Sequence, residues 1–140
     1  MRYVLDASVA IKWCIPEPGS EVAEQFLEDL KARRLSFLAP DILVAEVGNA
    51  LWKVCVLRKQ LSPSTAEESL LDFLSPPIEL RPSTSLATRA FHVAQNLQCP
   101  FYDALYLALA VEEKCELLTA DTALLRRAAG KLPARGITEP

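Results

Sequence analysis

Four acidic residues occupy positions where an unaccompanied carboxylate is unfavourable. Asp6 directly follows the apolar run Tyr3-Val4-Leu5, and Asp121 follows Leu117-Leu118-Thr119. Asp103 opens the apolar stretch Ala104-Leu105-Tyr106-Leu107-Ala108-Leu109-Ala110-Val111, and Glu46 lies beside an apolar helical stripe. Four carboxylates brought together repel one another and raise each other's affinity for protons. A hard divalent cation resolves that repulsion. Mg²⁺ or Mn²⁺ accepts oxygen ligands in octahedral geometry and keeps several waters. Such a site is suited to phosphodiester hydrolysis, because the ion orients and deprotonates a water and offsets the charge developing on phosphorus. Taken singly, Asp103 and Asp121 also suit helix N-caps, and Glu46 suits a solvated helix face. Asp6 is the hardest to explain away, since a charge at the end of a buried strand needs a partner.

The elements that must position these acids follow from hydrophobic periodicity. Residues 3–5 read as a strand buried on both faces. A short helix over 7–13 follows, stopped by Pro16 and Pro18. After a turn over 16–20, a helix over 21–32 turns Val22, Phe26, Leu27 and Leu30 inward. Residues 35–39 form a second strand. A long helix then runs to about Lys59, with Asp41 as its cap and Glu46, Asn49 and Lys53 as a polar stripe. The next helix starts at Ser62-Pro63, where Ser64 and Glu67 have capping-box spacing, and stops at Pro76-Pro77. A strand over 78–80, a helix over 83–97 and a strongly apolar helix over 102–113 come next. A strand over 116–119, a helix over 121–129 and an edge strand over 136–138 complete the pattern. Alternating strands and helices imply right-handed crossovers and a parallel sheet with helices on both faces. Such a sheet gathers strand-end residues along one edge, where open α/β sheets bind their ligands.

Composition narrows the function classes. At 140 residues, about half of them hydrophobic, the chain is expected to be one domain over 1–140 with a full core. A net charge of −3 argues against a general basic field for nucleic acid, while leaving room for a local basic patch. No run is apolar enough to span a membrane. Asp6 and Lys12 interrupt what an export signal would need. Cys14, Cys55, Cys99 and Cys115 are scattered, with no C-x-x-C pair, which suits reduced thiols and a cytoplasmic protein.

The four acids fall in four motifs. Val4-Leu5-Asp6-Ala7-Ser8, Ala45-Glu46-Val47-Gly48-Asn49-Ala50-Leu51, Tyr102-Asp103-Ala104-Leu105-Tyr106-Leu107-Ala108 and Leu117-Leu118-Thr119-Ala120-Asp121 occur in that order. Together they resemble the PIN-domain nucleases, and within them the VapC-type toxins of toxin–antitoxin pairs. The resemblance covers nearly the whole chain. It implies a three-layer α/β fold with a five-stranded parallel sheet. It also implies a metal-dependent endoribonuclease whose Mg²⁺ or Mn²⁺ is held by Asp6, Glu46, Asp103 and Asp121, with Ser8, Asn49 and Thr119 in support. A small antitoxin partner and a homodimer are expected by the same resemblance. Exposed apolar surface near Val54, Val56 and Leu57 would serve such contacts.

Three other readings compete. One is a nuclease of RNA processing with no toxin role. Another is an inactive scaffold that binds RNA or protein, which would not require all four acids. The third is a phosphotransferase of the haloacid-dehalogenase type, which wants a second Asp two residues after Asp6, where Ser8 stands. Lys12, Lys53, Arg58 and Lys59 are candidates to line an RNA path, set against ordinary helix surface. Arg126 and Arg127 are expected at the surface. Trp13 and Trp52 are candidates to stack on bases but are expected in core or interface packing, and the sole histidine, His92, away from any chemistry.

Overall fold

The structure is a computed structural model and describes residues 1–138. Its five strands are β1 (Arg2–Leu5), β2 (Ser36–Pro40), β3 (Ile78–Arg81), β4 (Glu116–Thr119) and β5 (Ala134–Gly136). The α-helices are α1 (Ala7–Cys14), α2 (Ser20–Lys31), α3 (Ile42–Trp52), α4 (Pro63–Leu74), α5 (Ser83–Leu97), α6 (Phe101–Glu113) and α7 (Thr122–Ala128). The strands form one sheet in the order β3-β2-β1-β4-β5, and every pairing is parallel. Helices cover both faces, giving three layers.

β1 lies at the centre because it can be buried on both sides. Val4 pairs with Leu38 of β2 and with Leu117 of β4, and all three are fully buried. The chain winds outward from β1 through β2 to β3, then crosses back to β4 and β5. The strand order therefore reverses between β1 and β4, and the crevice at their carboxyl ends is where such sheets place ligands.

α6 is buried from Ala104 through Ala110 because it packs on β1, β2 and β4 on one side and on α5 on the other. A fully buried leucine there contributes about 1.5–3 kcal/mol. At its far end Glu113 meets Arg2 and Arg81, and both arginines also meet Glu79. This quartet ties α6 to the central strand and to the edge strand β3.

Several local expectations need correction. Asp41 does not cap α3: its backbone is already helical and its side chain makes no bond to that helix. Its Oδ1 instead accepts from the backbone amide (3.2 Å) and the hydroxyl of Ser83, so it caps α5 from outside. Pro82 precedes that helix and has no side-chain acceptor to offer, which leaves Ser83 N–H open to Asp41. The cap of α4 is Ser62, which accepts from Thr65 N, rather than Ser64. Pro63 stands at the first helical position, where its missing N–H costs nothing. The α-helix predicted to reach Lys59 ends at Trp52 and continues as a π-helical turn, Lys53–Leu57. Val22 faces solvent, and Ala23 takes its place in the core. The last strand lies two residues earlier than expected, and Ile137 N still donates to Thr119 O. The four cysteines are unpaired.

Candidate active site

Asp6 is placed by the backbone on both sides. Its N–H donates to Leu118 O at 3.1 Å, extending the β1–β4 ladder by one residue. Its C=O accepts from Val9 N and Ala10 N, starting α1. The side chain takes no part in capping α1. It points instead to two hydroxyls, with Ser8 Oγ 2.5 Å and Thr119 Oγ1 2.7 Å from Oδ2.

The direction of these bonds follows from counting protons. Ala120 N donates to Ser8 Oγ at 2.9 Å, and Asp121 N donates to Thr119 Oγ1 at 3.0 Å. Each hydroxyl therefore accepts a backbone N–H and has its single proton left for Asp6. The hydroxyls stand 3.2 Å apart but point the same way.

The other acids arrive from three elements. Glu46 lies on the second turn of α3, and its Oε1 accepts from the Tyr106 hydroxyl at 2.7 Å. Asp103 lies in the first turn of α6 and does not cap it. Asp121 does cap α7, its Oδ1 accepting from Ala123 N and Leu124 N.

The carboxyls act on one another. Burial pushes the Asp6 carboxyl above the usual range, and the charge of Asp121 adds to the rise, while the Ser8 and Thr119 bonds oppose it. Burial also raises Glu46, with Asp6 and Asp103 adding to the effect and the Tyr106 bond opposing it. Asp103 is pushed up to about 6 by burial and by the charges of Asp6 and Asp121, and Arg127 draws it back. The four acids are thus within electrostatic reach at the carboxyl edge of the sheet. Among the described residues, however, no three metal-ligating side chains form a group that would hold an ion as they stand. The donor set is all oxygen, which suits a hard cation, and Mg²⁺ characteristically binds through one or two carboxylates with water completing its shell.

Two of the supporting residues join this site and one does not. Ser8 and Thr119 touch Asp6 directly. Asn49 is exposed on α3 and makes no hydrogen bond to the acids. Lys12 is not free to line a substrate path: its Nζ donates to Glu17 Oε1 and to Pro18 O, closing the loop after α1. Gly19 in that loop has φ +90°, a backbone that favours glycine, and a Cβ there would sit 3.4 Å from Lys12 Cε. Trp13 is half-buried against the core, its Nε1 bonded to Ala23 O and its ring packed on Phe37. Trp52, by contrast, is 48% exposed. Lys53, Arg58, Lys59, Arg126 and Arg127 are exposed, as is His92. A groove of about 680 Å³ is lined by Trp13, Cys14, Leu27, Leu30 and Phe73 among others, and by none of the four acids.

Sequence reasoning missed Tyr106 and the nearness of Arg127 to Asp103. A signal for the tyrosine was available. Its phenol sits in a helix of alanine and leucine, one turn after Asp103, and a buried phenol needs an acceptor.

A parallel sheet with acids gathered at its switch point defines a class of α/β proteins that place charged chemistry at strand ends. Residues 3–131 match the PIN domain model. A curated relative, Ribonuclease VapC3 of Pyrobaculum aerophilum, is 34% identical over 137 residues, covering 96% of this chain and 97% of that protein. The chain therefore belongs to the PIN-domain family, on its VapC branch. Solved structures share the fold. VapBC2 from Rickettsia felis, bound to a promoter DNA fragment, aligns with a TM-score of 0.70 at 19% identity, over 97% of this chain and 98% of that one. A toxin–antitoxin complex from Klebsiella pneumoniae aligns with a TM-score of 0.69 at 18% identity, over 99% of each chain.

Proposed function

We propose that this chain is a metal-dependent endoribonuclease and the toxin of a toxin–antitoxin pair. The observation that carries the reading is the set of four coupled carboxylates at the β1–β4 switch point, with Asp6 held by two hydroxyls. Asp6, Glu46, Asp103 and Asp121 would hold Mg²⁺ or Mn²⁺. When bound, the ion supplies positive charge against the acids' repulsion and Lewis acidity toward the phosphodiester and water. Ser8 and Thr119 keep the Asp6 carboxylate in one orientation, and the α7 amides do the same for Asp121. A water attacks phosphorus in line with the departing oxygen, so no protein nucleophile enters the reaction.

The relatives' names support the biological setting. VapC3 is called a ribonuclease, and two structural neighbours are toxin–antitoxin assemblies. We extend both properties to this chain, with RNA as substrate, a small antitoxin as partner and the cytoplasm as the place of action. Among the described residues no helix is long and apolar enough to cross a membrane. We also propose a homodimer. Val54 is buried, but Val56 and Leu57 are 49% and 62% exposed and lie near Trp52 in sequence, an apolar surface suited to a contact. Light scattering at micromolar concentration tests it, and a monodisperse monomer would remove the dimer.

The experiment for the activity is incubation of the purified protein with mixed cellular RNA in Mg²⁺, Mn²⁺ or EDTA. Discrete fragments that require the ion, and vanish with Asp6→Asn, are expected. Cleavage that persists undiminished in EDTA would overturn the metal mechanism.

A further inference from the structure

Three of the acids at this edge are steadied by different devices. Asp6 has two hydroxyls, and Asp121 has two backbone amides. Glu46 has the longest side chain of the four and the most torsions to restrain. Among the described residues its side chain takes one hydrogen bond, from Tyr106, at 2.7 Å. That donor is well fixed: Tyr106 is 1% exposed, on a helix buried from Ala104 through Ala110. The bond also joins α3 to α6, the helices that carry Glu46 and Asp103.

We propose that Tyr106 is a positioning residue, whose hydroxyl restrains the Glu46 carboxylate on the side of Asp6 and Asp103 and so limits how far it must travel to the ion they would share. A buried phenol needs an acceptor, but a backbone carbonyl would satisfy it. Here the acceptor is an acid of the site, carried by another helix, and the phenol ring has no freedom to follow if that acid swings away. Outer partners of this kind orient a metal-binding group, and losing one typically costs about 10–100-fold in metal affinity. The inference rests on the metal-dependent reading above.

Tyr106→Phe tests it, because the ring and its packing stay and one oxygen goes. Three quantities are measured: melting in EDTA, Mn²⁺ affinity by calorimetry, and kcat and KM on RNA. The variant is expected to melt close to wild type, to bind Mn²⁺ at least about tenfold more weakly, and to lose kcat with KM unchanged. Adding Tyr106→Phe to Glu46→Gln should then weaken Mn²⁺ binding little further, since the two residues act as one unit. Wild-type Mn²⁺ affinity in Tyr106→Phe, or full additivity in the double variant, would overturn the inference alone. Failure of Tyr106→Phe to fold would make the hydroxyl structural and overturn it equally. If wild type itself binds no Mn²⁺, the metal-dependent reading falls, and this inference with it.

Discussion

Thr119 Oγ1 lies 2.7 Å from Asp6 Oδ2, linking the ends of the two strands that flank the switch point. The same oxygen accepts the Asp121 amide at 3.0 Å, so one hydroxyl orients one acid and the backbone of a second. Thr119 is fully buried, and water cannot replace either bond without rearrangement.

Thr119→Val keeps the shape and removes both bonds. The Asp121 N–H loses its acceptor, and the Asp6 carboxylate keeps Ser8 as its remaining hydroxyl. A hydrogen bond to a charged group contributes about 1.5–3 kcal/mol, so a loss of that order is expected in urea unfolding without metal. Thr119→Ser should recover most of it. A valine variant as stable as wild type would show that the hydroxyl contributes nothing to the fold.

The pH dependence of the metal-free protein has a defined sign. Asp103 is pushed up to about 6 from 3.8, and burial raises Asp6 and Glu46 as well. A folded state with raised carboxyl pKa values binds more protons than the unfolded chain. Stability should therefore rise as pH falls from about 7 through 6 toward 4. Glu79 and Glu113 are lowered by their arginine partners and act in the opposite sense, at lower pH. Melting curves in EDTA across this window should show the rise, and Asp103→Asn should flatten it. A melting point that falls steadily from pH 7 to 5 would contradict the electrostatic picture of the site.

Asp41 gives a prediction independent of the acids. It accepts from the amide and hydroxyl of Ser83 at the start of α5. Asp41→Ala should cost about 1 kcal/mol, the usual effect of losing a helix cap. Ser83→Ala should remove part of the same interaction, so the double variant should lose less than the sum. Strict additivity in urea unfolding would show that the two residues do not act together.

The uneven legibility of this chain has physical causes. The buried strands at Val4-Leu5 and Leu117-Leu118 and the apolar helix after Asp103 are fixed by local hydrophobic pattern, and they appear in the structure within a residue or two. Turning points and caps depend on tertiary neighbours, which explains Asp41: whether it serves α3 or α5 is decided by how close β2 and β3 bring the two helix starts. The acids could be picked out because each stands against an apolar background. Tyr106 and Arg127 could not be read from spacing alone, because their relevance arises where α6 meets α3 and where α7 meets the turn after α5. Lys12 shows the reverse case, a cation near the acids in sequence that the fold engages elsewhere.

Arg127 is the cation whose charge bears on Asp103, and it is anchored by a bond to Gln98 O. Arg127→Ala should let Asp103 rise further above about 6. At subsaturating Mn²⁺ the loss of RNA cleavage on acidification should then begin at higher pH, because protons compete with the ion for the same carboxyl. NMR titration of the Asp103 carboxyl in the metal-free protein checks the cause directly, and an unmoved titration would exclude it.

Asp6→Asn separates a working carboxylate from a structural one. Asp6 is 6% exposed and lies in the repulsive field of Asp121, so its charge is unfavourable in the metal-free fold. Asparagine keeps an oxygen that can accept from Ser8 and Thr119 and removes that charge. Its amide group carries protons where the carboxylate oxygen had none, at some cost in fit. The two effects oppose each other. In EDTA the variant should melt level with wild type or above it, by up to about 2 kcal/mol, the range of an ordinary stabilising substitution. With Mg²⁺ or Mn²⁺ added, wild type should gain stability in proportion to its affinity, because the ion binds only the folded state. The variant should gain much less, and RNA cleavage should disappear. A variant that melts well below wild type in EDTA, together with a wild type that gains nothing from either ion, would make Asp6 a structural residue and remove the site proposed for this chain.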